Sequence, residues 1–313
     1  MQHIGKVHTL RTVNGQTRRV LISGSKGLIG TALISHLQTA GWQITRLSRS
    51  SSPRDGQISW NPFQPVAPES VSGFDGVIHL AGETIVGRWT DAKKGAIRDS
   101  RVSGTRHLSE ALAKSAQPPR VFVCASAIGY YGDRGDEILR EDSTSGSGFL
   151  PEVCREWEAA AKPASDAGIR TAHTRFGIVL SRSGGALAKM LTPFRLGLGG
   201  NMGSGRQWWS WVALQDVVGA LEHILKTDAC RGPVNVVSPN PVRNAEFAKI
   251  LAAALSRPAI FPMPAFAARL ALGEMADELL LASQRVEPAK LAATGYVFQH
   301  PDLRAALQSV LTR

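Results

Sequence analysis

The run Arg19-Val20-Leu21-Ile22-Ser23-Gly24-Ser25-Lys26-Gly27-Leu28-Ile29-Gly30-Thr31-Ala32-Leu33 constrains this chain more than any other stretch. It reads as a buried strand, a glycine-rich turn and the first turn of a helix. Gly24, Gly27 and Gly30 are each three apart. Such a turn brings backbone N–H groups and a helix N-terminus to one point, where a pyrophosphate is favoured. Leu28, Ile29, Ala32, Leu33 and Leu37 continue at helical spacing towards Ala40, and Gly41 ends the helix. Trp42 to Leu47 then reads as a second strand. Strand, turn, helix and strand within about 30 residues make a βαβ unit, the context in which a glycine pattern signals dinucleotide binding. The cofactor-binding turn is thus Gly24, Ser25, Lys26, Gly27, Leu28, Ile29 and Gly30. The competing reading is a glycine turn that only lets helix and strand pack closely.

The end of the second strand bears on which dinucleotide. An acidic residue there would accept from the adenosine ribose 2′-OH and favour NAD. The chain has Arg46-Leu47-Ser48-Arg49-Ser50 instead. A guanidinium at Arg49 can hold a 2′-phosphate bidentately, and Lys26 can reach the same group. The expected cofactor is NADP rather than NAD, with Ser48 and Arg49 at its adenosine end. The alternative is that these cations are solvated loop residues.

Bulk properties exclude several other classes. The chain has 313 residues, enough for one large domain or two interleaved ones. No run approaches the roughly 18 apolar residues of a membrane span. Met1 to Gly15 has no apolar signal core, so a cytoplasmic protein is expected. Cys124, Cys154 and Cys230 are too few and scattered for a disulfide framework, and no metal site is expected. The net charge of +11 is spread along the chain without interleaved aromatics, which reads as a basic surface rather than a nucleic-acid interface.

Further strands are expected at Gln57 to Trp60, Gly76 to Leu80, Arg120 to Ala125, Ile169 to Phe176 and Val234 to Val237. Helices are expected at Trp89 to Ala113, capped at Thr90-Asp91, then Pro151 to Ala161, Leu187 to Arg195 and Asp216 to Lys226. A last helix, Ala245 to Leu255, is expected to be capped by Asn244. Small residues after the fourth strand, Ala81-Gly82, let the chain pass close beside a nucleotide. Gly197 to Arg206 carries five glycines, followed by Gln207-Trp208-Trp209-Ser210-Trp211. That segment can wall a ligand pocket or form a glycine-shaped loop anchored by core aromatics. Phe266 to Ser283 is strongly apolar but broken by Glu274, Asp277 and Glu278, which suits a lid or a dimer surface better than a membrane helix.

Several motifs together resemble the extended short-chain dehydrogenase/reductases, which include the NAD-dependent epimerase/dehydratase enzymes. They are Ser23-Gly24-x-x-Gly27-x-x-Gly30, His79-Leu80-Ala81-Gly82, and Ser126 followed by Tyr130-Tyr131-Gly132-Asp133. The resemblance is closer still to an atypical, epimerase-like branch of unknown substrate. Its marks are Leu80-Ala81-Gly82-Glu83, Arg88-Trp89, Gly129-Tyr130-Tyr131-Gly132-Asp133, Trp157-Glu158, Phe194 to Gly200, Gly203 to Gln207 and Ser238 to Asn244. The resemblance covers about 20 to 310 and implies an α/β fold, a Rossmann-type doubly wound parallel sheet with a smaller, mostly C-terminal substrate domain. The division expected is an extension over 1–18 and an NADP-binding domain over 19–180, with 212–237 returning to it. Residues 181–211 and 238–313 form the substrate-binding part, 287–313 resembling the family's small C-terminal region.

The resemblance also implies site residues. Leu80, Ala81, Gly82 and Glu83 would border the cofactor. The segment Thr174 to Leu180 matches the one passing the nicotinamide, so Arg175 and Gly177 would lie there, though a structural ion pair suits Arg175 equally. Arg195, Arg206, Gln207 and Trp208 would hold an anionic, nucleotide-diphosphate-like substrate. The usual catalytic Ser, Tyr and Lys are only partly present. Ser126 matches the Ser. With Glu158 as anchor, Leu150 stands where Tyr belongs and Cys154 where Lys belongs. Tyr130 or Tyr131 could act instead, as could Glu83, Asp133 or Cys154, or the protein could bind its cofactor without standard chemistry. Two functions follow: an NADP(H)-dependent oxidoreductase or epimerase for a small polar substrate, and a non-catalytic NADP(H)-binding sensor. A homodimer is compatible with either.

Overall fold

The computed structural model describes residues 18–312, so nearly all of the expected extension over 1–18 lies outside the described residues. In chain order the elements are β1 (Arg19–Ser23), α1 (Leu28–Thr39), β2 (Gln43–Ser48), β3 (Gln57–Ser59), β4 (Gly76–His79), α2 (Asp91–Ala113), β5 (Val121–Ala127) and β6 (Ile138–Leu139). Then come α3 (Phe149–Ala160), α4 (Lys162–Asp166), β7 (Arg170–Phe176), β8 (Ile178–Leu180), α5 (Gly185–Arg195), β9 (Trp208–Trp209), β10 (Trp211–Ala213) and α6 (Leu214–Lys226). The chain closes with β11 (Gly232–Val236), β12 (Val242–Arg243), α7 (Asn244–Ala254), α8 (Ala265–Leu272), β13 (Arg285–Val286), α9 (Ala289–Ala293) and α10 (Leu303–Thr312).

Seven strands form one parallel sheet in the order β3-β2-β1-β4-β5-β7-β11. Both faces of the central strands are covered, so β1, β4 and β5 are buried along almost their whole length rather than alternating. Val20 and Ile22 of β1 point into one core, with Leu33 and Leu37 of α1 and Leu221 and Ile224 of α6. Leu21 and Val77 point the other way, to Leu108 of α2, Trp157 of α3 and Ala164 of α4. This is the doubly wound Rossmann-type sheet. The order puts the C-terminal ends of β1, β4 and β5 side by side, where such sheets bind ligands.

A third core gathers Leu187 and Phe194 of α5, Trp209 and Trp211, Phe247 and Leu251 of α7 and Leu307 of α10. The C-terminal region is tied to the sheet by Asp216, which is buried at the start of α6. Its carboxylate accepts from Gln299 N at 2.7 Å, His300 N at 2.9 Å and the Tyr296 hydroxyl at 3.2 Å.

Two local expectations are corrected. Thr90 caps α2 as its sequence suggests, its Oγ1 accepting from Lys93 N. Asn244 does not cap α7: it is the first helical residue, and its Oδ1 accepts from Met202 N at 2.7 Å. Its side chain fastens the glycine-rich loop rather than its own helix. Helix α5 starts at Gly185, two residues before the apolar repeat begins.

Candidate functional site

The glycine turn divides its work among its residues. Gly24 has φ +67°, and a Cβ there would lie 2.6 Å from the Leu80 carbonyl carbon. A Cβ on Gly30 would lie 2.2 Å from Gly24 O. Both are required by packing. Gly27 differs: it is exposed, and a Cβ on it would come near only Gly24 O, at 3.3 Å. The N-terminus of α1 follows it directly, with Thr31 N bonded to Gly27 O. The turn therefore presents an open backbone face and a helix N-terminus, which fit a dinucleotide pyrophosphate.

Ser23 fixes how this turn meets the end of β4. Its Oγ accepts from Leu80 N at 3.1 Å and Ala81 N at 3.3 Å, and lies 2.6 Å from His79 Nδ1. His79 is fully buried, and burial lowers its pKa to about 4. Lys26 in the turn and Arg49 just past β2, the strand paired with β1, are exposed, and Ser48 is half-buried. Glu83 is not free: its carboxylate pairs with Lys93 at 2.7 Å, and that hydrogen bond lowers its pKa.

Ser126 ends a buried polar chain across three elements. Its Oγ donates to Glu158 Oε1 of α3 at 2.7 Å. Glu158 is gripped by Arg175 of β7, Nε to Oε1 at 2.8 Å and Nη2 to Oε2 at 2.9 Å. Arg175 is 2% exposed. Burial works against its charge, but hydrogen bonding and attraction from Glu158 outweigh that, and its pKa is raised. Its Nη1 donates to the Tyr131 hydroxyl at 3.0 Å, and that hydroxyl also lies 2.8 Å from Asn235 Oδ1.

The two loop tyrosines differ sharply. Tyr131 is wholly buried, and burial pushes its phenol up to about 12. Tyr130 is half-buried, its ring 3.5 Å from the Arg175 guanidinium carbon. Leu150 packs with Trp89, Phe149 and Met275. Cys154 is buried, and burial lifts its thiol to about 12. Leu150 carries no titratable group, and the raised pKa keeps the Cys154 thiol protonated near neutral pH.

Glu278 of the C-terminal apolar segment reaches the N-terminus of α3. Its carboxylate accepts from Phe149 N at 2.7 Å and Leu150 N at 2.6 Å. A cleft opens there, lined by Gly129, Asp133, Ser147, Leu150, Arg269 and Glu278. No helix among the described residues is long and apolar enough to cross a membrane. Among the described residues, no group of His, Cys, Asp or Glu is arranged to hold a metal ion.

The substrate residues expected from sequence are not brought together. Gln207 is buried, and its Nε2 donates to Met202 O and Leu280 O, both at 3.0 Å. Trp208 lies between the guanidiniums of Arg243, at 4.2 Å, and Arg285, at 4.6 Å. Arg206 is exposed nearby, its carbonyl bonded by Arg243. Arg195 stands at the opposite end of α7, where Arg257 donates to its carbonyl, roughly 16 Å of helix away. Gly177 serves packing, since a Cβ there would lie 2.6 Å from Ser210 O. Sequence reasoning assigned no site role to Ser23, Arg101, Arg243 or Glu278. Ser23 and Arg243 lie inside motifs of the resemblance and Glu278 breaks the apolar segment, whereas Arg101 carries no sequence signal.

A model of the NAD dependent epimerase/dehydratase family matches residues 20–237, and one of a domain of unknown function matches residues 263–310. An epimerase family protein of Mycobacterium bovis is 40% identical over 296 residues, 94% of this chain and 98% of that protein. The crystal structure of human epimerase family protein SDR39U1 with NADPH superimposes with a TM-score of 0.87 at 36% identity, covering 94% of this chain and 99% of that one. A nucleoside-diphosphate sugar epimerase from Corynebacterium glutamicum gives 0.80 at 41% identity, covering 95% of this chain and 59% of that one. With the family match spanning more than half of its length, this chain belongs to the NAD dependent epimerase/dehydratase family.

Proposed function

We propose that this chain binds NADP(H) along the C-terminal edge of its sheet and uses it as an oxidoreductase or epimerase on a small polar, nucleotide-sugar-like substrate. The observation that carries the reading is the open face of the Gly27 turn, with exposed Lys26 in the turn and exposed Arg49 at the end of the paired strand β2. They suit a dinucleotide with a 2′-phosphate. The NADPH in the human relative's crystal structure supports the same choice.

The bound cofactor would supply hydride chemistry, and the chain's own groups would place the substrate beside it. The Ser126 proton is committed to Glu158, so the Ser126 oxygen is left to accept from a substrate hydroxyl. Arg175 keeps Glu158 in place and so fixes that direction. Tyr131, with its phenol buried and raised, is a strut of this network. Tyr130 is the better proton donor of the pair, since its hydroxyl bonds to none of the described residues.

A second reading keeps the cofactor and drops the chemistry. The apolar packing of Leu150 and the inert thiol of Cys154, where the resemblance calls for Tyr and Lys, favour an NADP(H)-binding sensor. Titration of purified protein with NADPH and NADH tests the common ground. Arg49→Ala is expected to weaken NADPH by roughly 10-fold or more and leave NADH unchanged. Equal effects on both would refute the 2′-phosphate site. Turnover of sugar nucleotides or small carbonyls with NADPH, abolished by Ser126→Ala, separates the enzyme from the sensor.

A further inference from the structure

Arg101 of α2 is a half-buried guanidinium with no ion-pair partner among the described residues. The nearby carboxylates are taken: Glu83 is paired with Lys93, and Glu158 with Arg175. Its two hydrogen bonds leave from one nitrogen, Nη1 to Glu83 O at 3.0 Å and Ile97 O at 3.1 Å. The described residues offer its Nη2 and Nε no acceptor. Burial lowers its pKa, the mark of a cation that the protein itself compensates poorly. A charge partly withdrawn from water is normally paired, so unfilled donors on such a cation point to an absent, oxygen-bearing ligand.

Its position indicates which part of a ligand. The guanidinium carbon lies 3.3 Å from where a Cβ on Gly82 would stand, so the missing side chain leaves it facing the loop after β4. On its other side it lies over the Trp157 ring at 5.0 Å. It is also close enough to Cys154 for its charge to pull that thiol's pKa down against burial. In the sheet β4 lies between β1 and β5. The loop after β4 therefore lies between the phosphate-binding turn after β1 and Ser126 at the end of β5. A dinucleotide with its pyrophosphate at Gly27 and its reacting ring near Ser126 must cross that loop with the sugar that joins the two.

Resting on the NADP(H) reading above, we propose that Arg101 holds the nicotinamide-side ribose by donating to its hydroxyl oxygens. The positive charge of this half of the site then comes from α2, while the position on α3 facing it is the uncharged Cys154. The role is one of binding and positioning. It requires no proton from Arg101.

The test uses the intact protein, titrated with NADPH by its fluorescence and with adenosine 2′,5′-bisphosphate by calorimetry. The second ligand carries the 2′-phosphate but lacks the nicotinamide ribose. Arg101→Gln is expected to weaken NADPH by roughly 10- to 100-fold and leave the bisphosphate unchanged. Unchanged NADPH affinity, or an equal loss for both ligands, would overturn the proposal. Circular dichroism establishes that the variant is folded. Where it is not, Arg101→Lys carries the test: a smaller loss of NADPH alone supports the assignment, and no loss or a shared loss refutes it. Wild-type protein that binds neither ligand would refute the NADP(H) reading itself, an outcome separate from any effect of Arg101.

Discussion

Ser126 Oγ donates to Glu158 Oε1 over 2.7 Å, while Arg175 closes on both oxygens of the same carboxylate. The pair therefore separates function from stability. Glu158→Gln leaves a buried guanidinium without its counter-charge and is expected to cost about 3–5 kcal/mol, read by urea denaturation. Ser126→Ala removes one hydroxyl and is expected to cost about 1 kcal/mol, with turnover lost and NADPH affinity kept. A Ser126→Ala variant as unstable as Glu158→Gln would show the hydroxyl to be structural.

Gly30→Ala is expected to destabilise by about 1–3 kcal/mol or more, because its Cβ would be driven into Gly24 O. Gly27→Ala, with only one neighbour at contact distance, is expected to melt near wild type and lose NADPH affinity. Thermal melts and NADPH titration of the two variants should show opposite patterns.

His79 predicts an acid transition. Its folded pKa is about 4, below the ordinary value of 6.5, so the unfolded chain takes up a proton that the folded chain refuses. The neutral buried form is fully compatible with folding above pH 6.5. Stability is then lost as pH falls to about 4, by up to about 3 kcal/mol. Denaturant midpoints at pH 7, 5.5 and 4 should fall accordingly, and His79→Asn should flatten that dependence.

Asp216→Asn is expected to cost about 2 kcal/mol, since the amide replaces one acceptor of a backbone N–H with a donor. The loss should be local first. Limited proteolysis is expected to cut around residues 294–302 in the variant sooner than in wild type, because Tyr296, Gln299 and His300 lose their shared anchor.

The sheet and its first helix are legible in the sequence because their signals are local. Val20 to Ile22, the glycine spacing and the Leu33–Leu37 repeat each lie within a single strand, turn or helix. The Ser126–Glu158–Arg175 chain is not legible in that way. It depends on β5 and β7 pairing Ser126 with Arg175, and on α3 laying Glu158 beside both. Gln207 and Asn244 illustrate a related limit. Each has the side chain of a ligand or cap residue, yet Asn244 is spent on Met202 N and Gln207 on Leu280 O, main-chain atoms that only the tertiary fold brings near, Gln207 also bonding Met202 O within its own loop. The Tyr and Lys that the resemblance calls for could be sought in the sequence by spacing, but the unpaired Arg101 has no trace in spacing or composition.

Glu278 belongs to the C-terminal segment, yet it supplies the negative charge at the N-terminus of the helix that carries Glu158. The segment is thus not an appendage that can be cut away or exchanged at will. A truncation before residue 263 would uncap α3 at one end and loosen the carboxylate that orients Ser126 a few turns along. Swapping in the C-terminal region of a relative would work only where an acid returns to that spot. The two matched regions of this chain are in this sense a single mechanical unit, joined at the seam that Glu278 makes with α3.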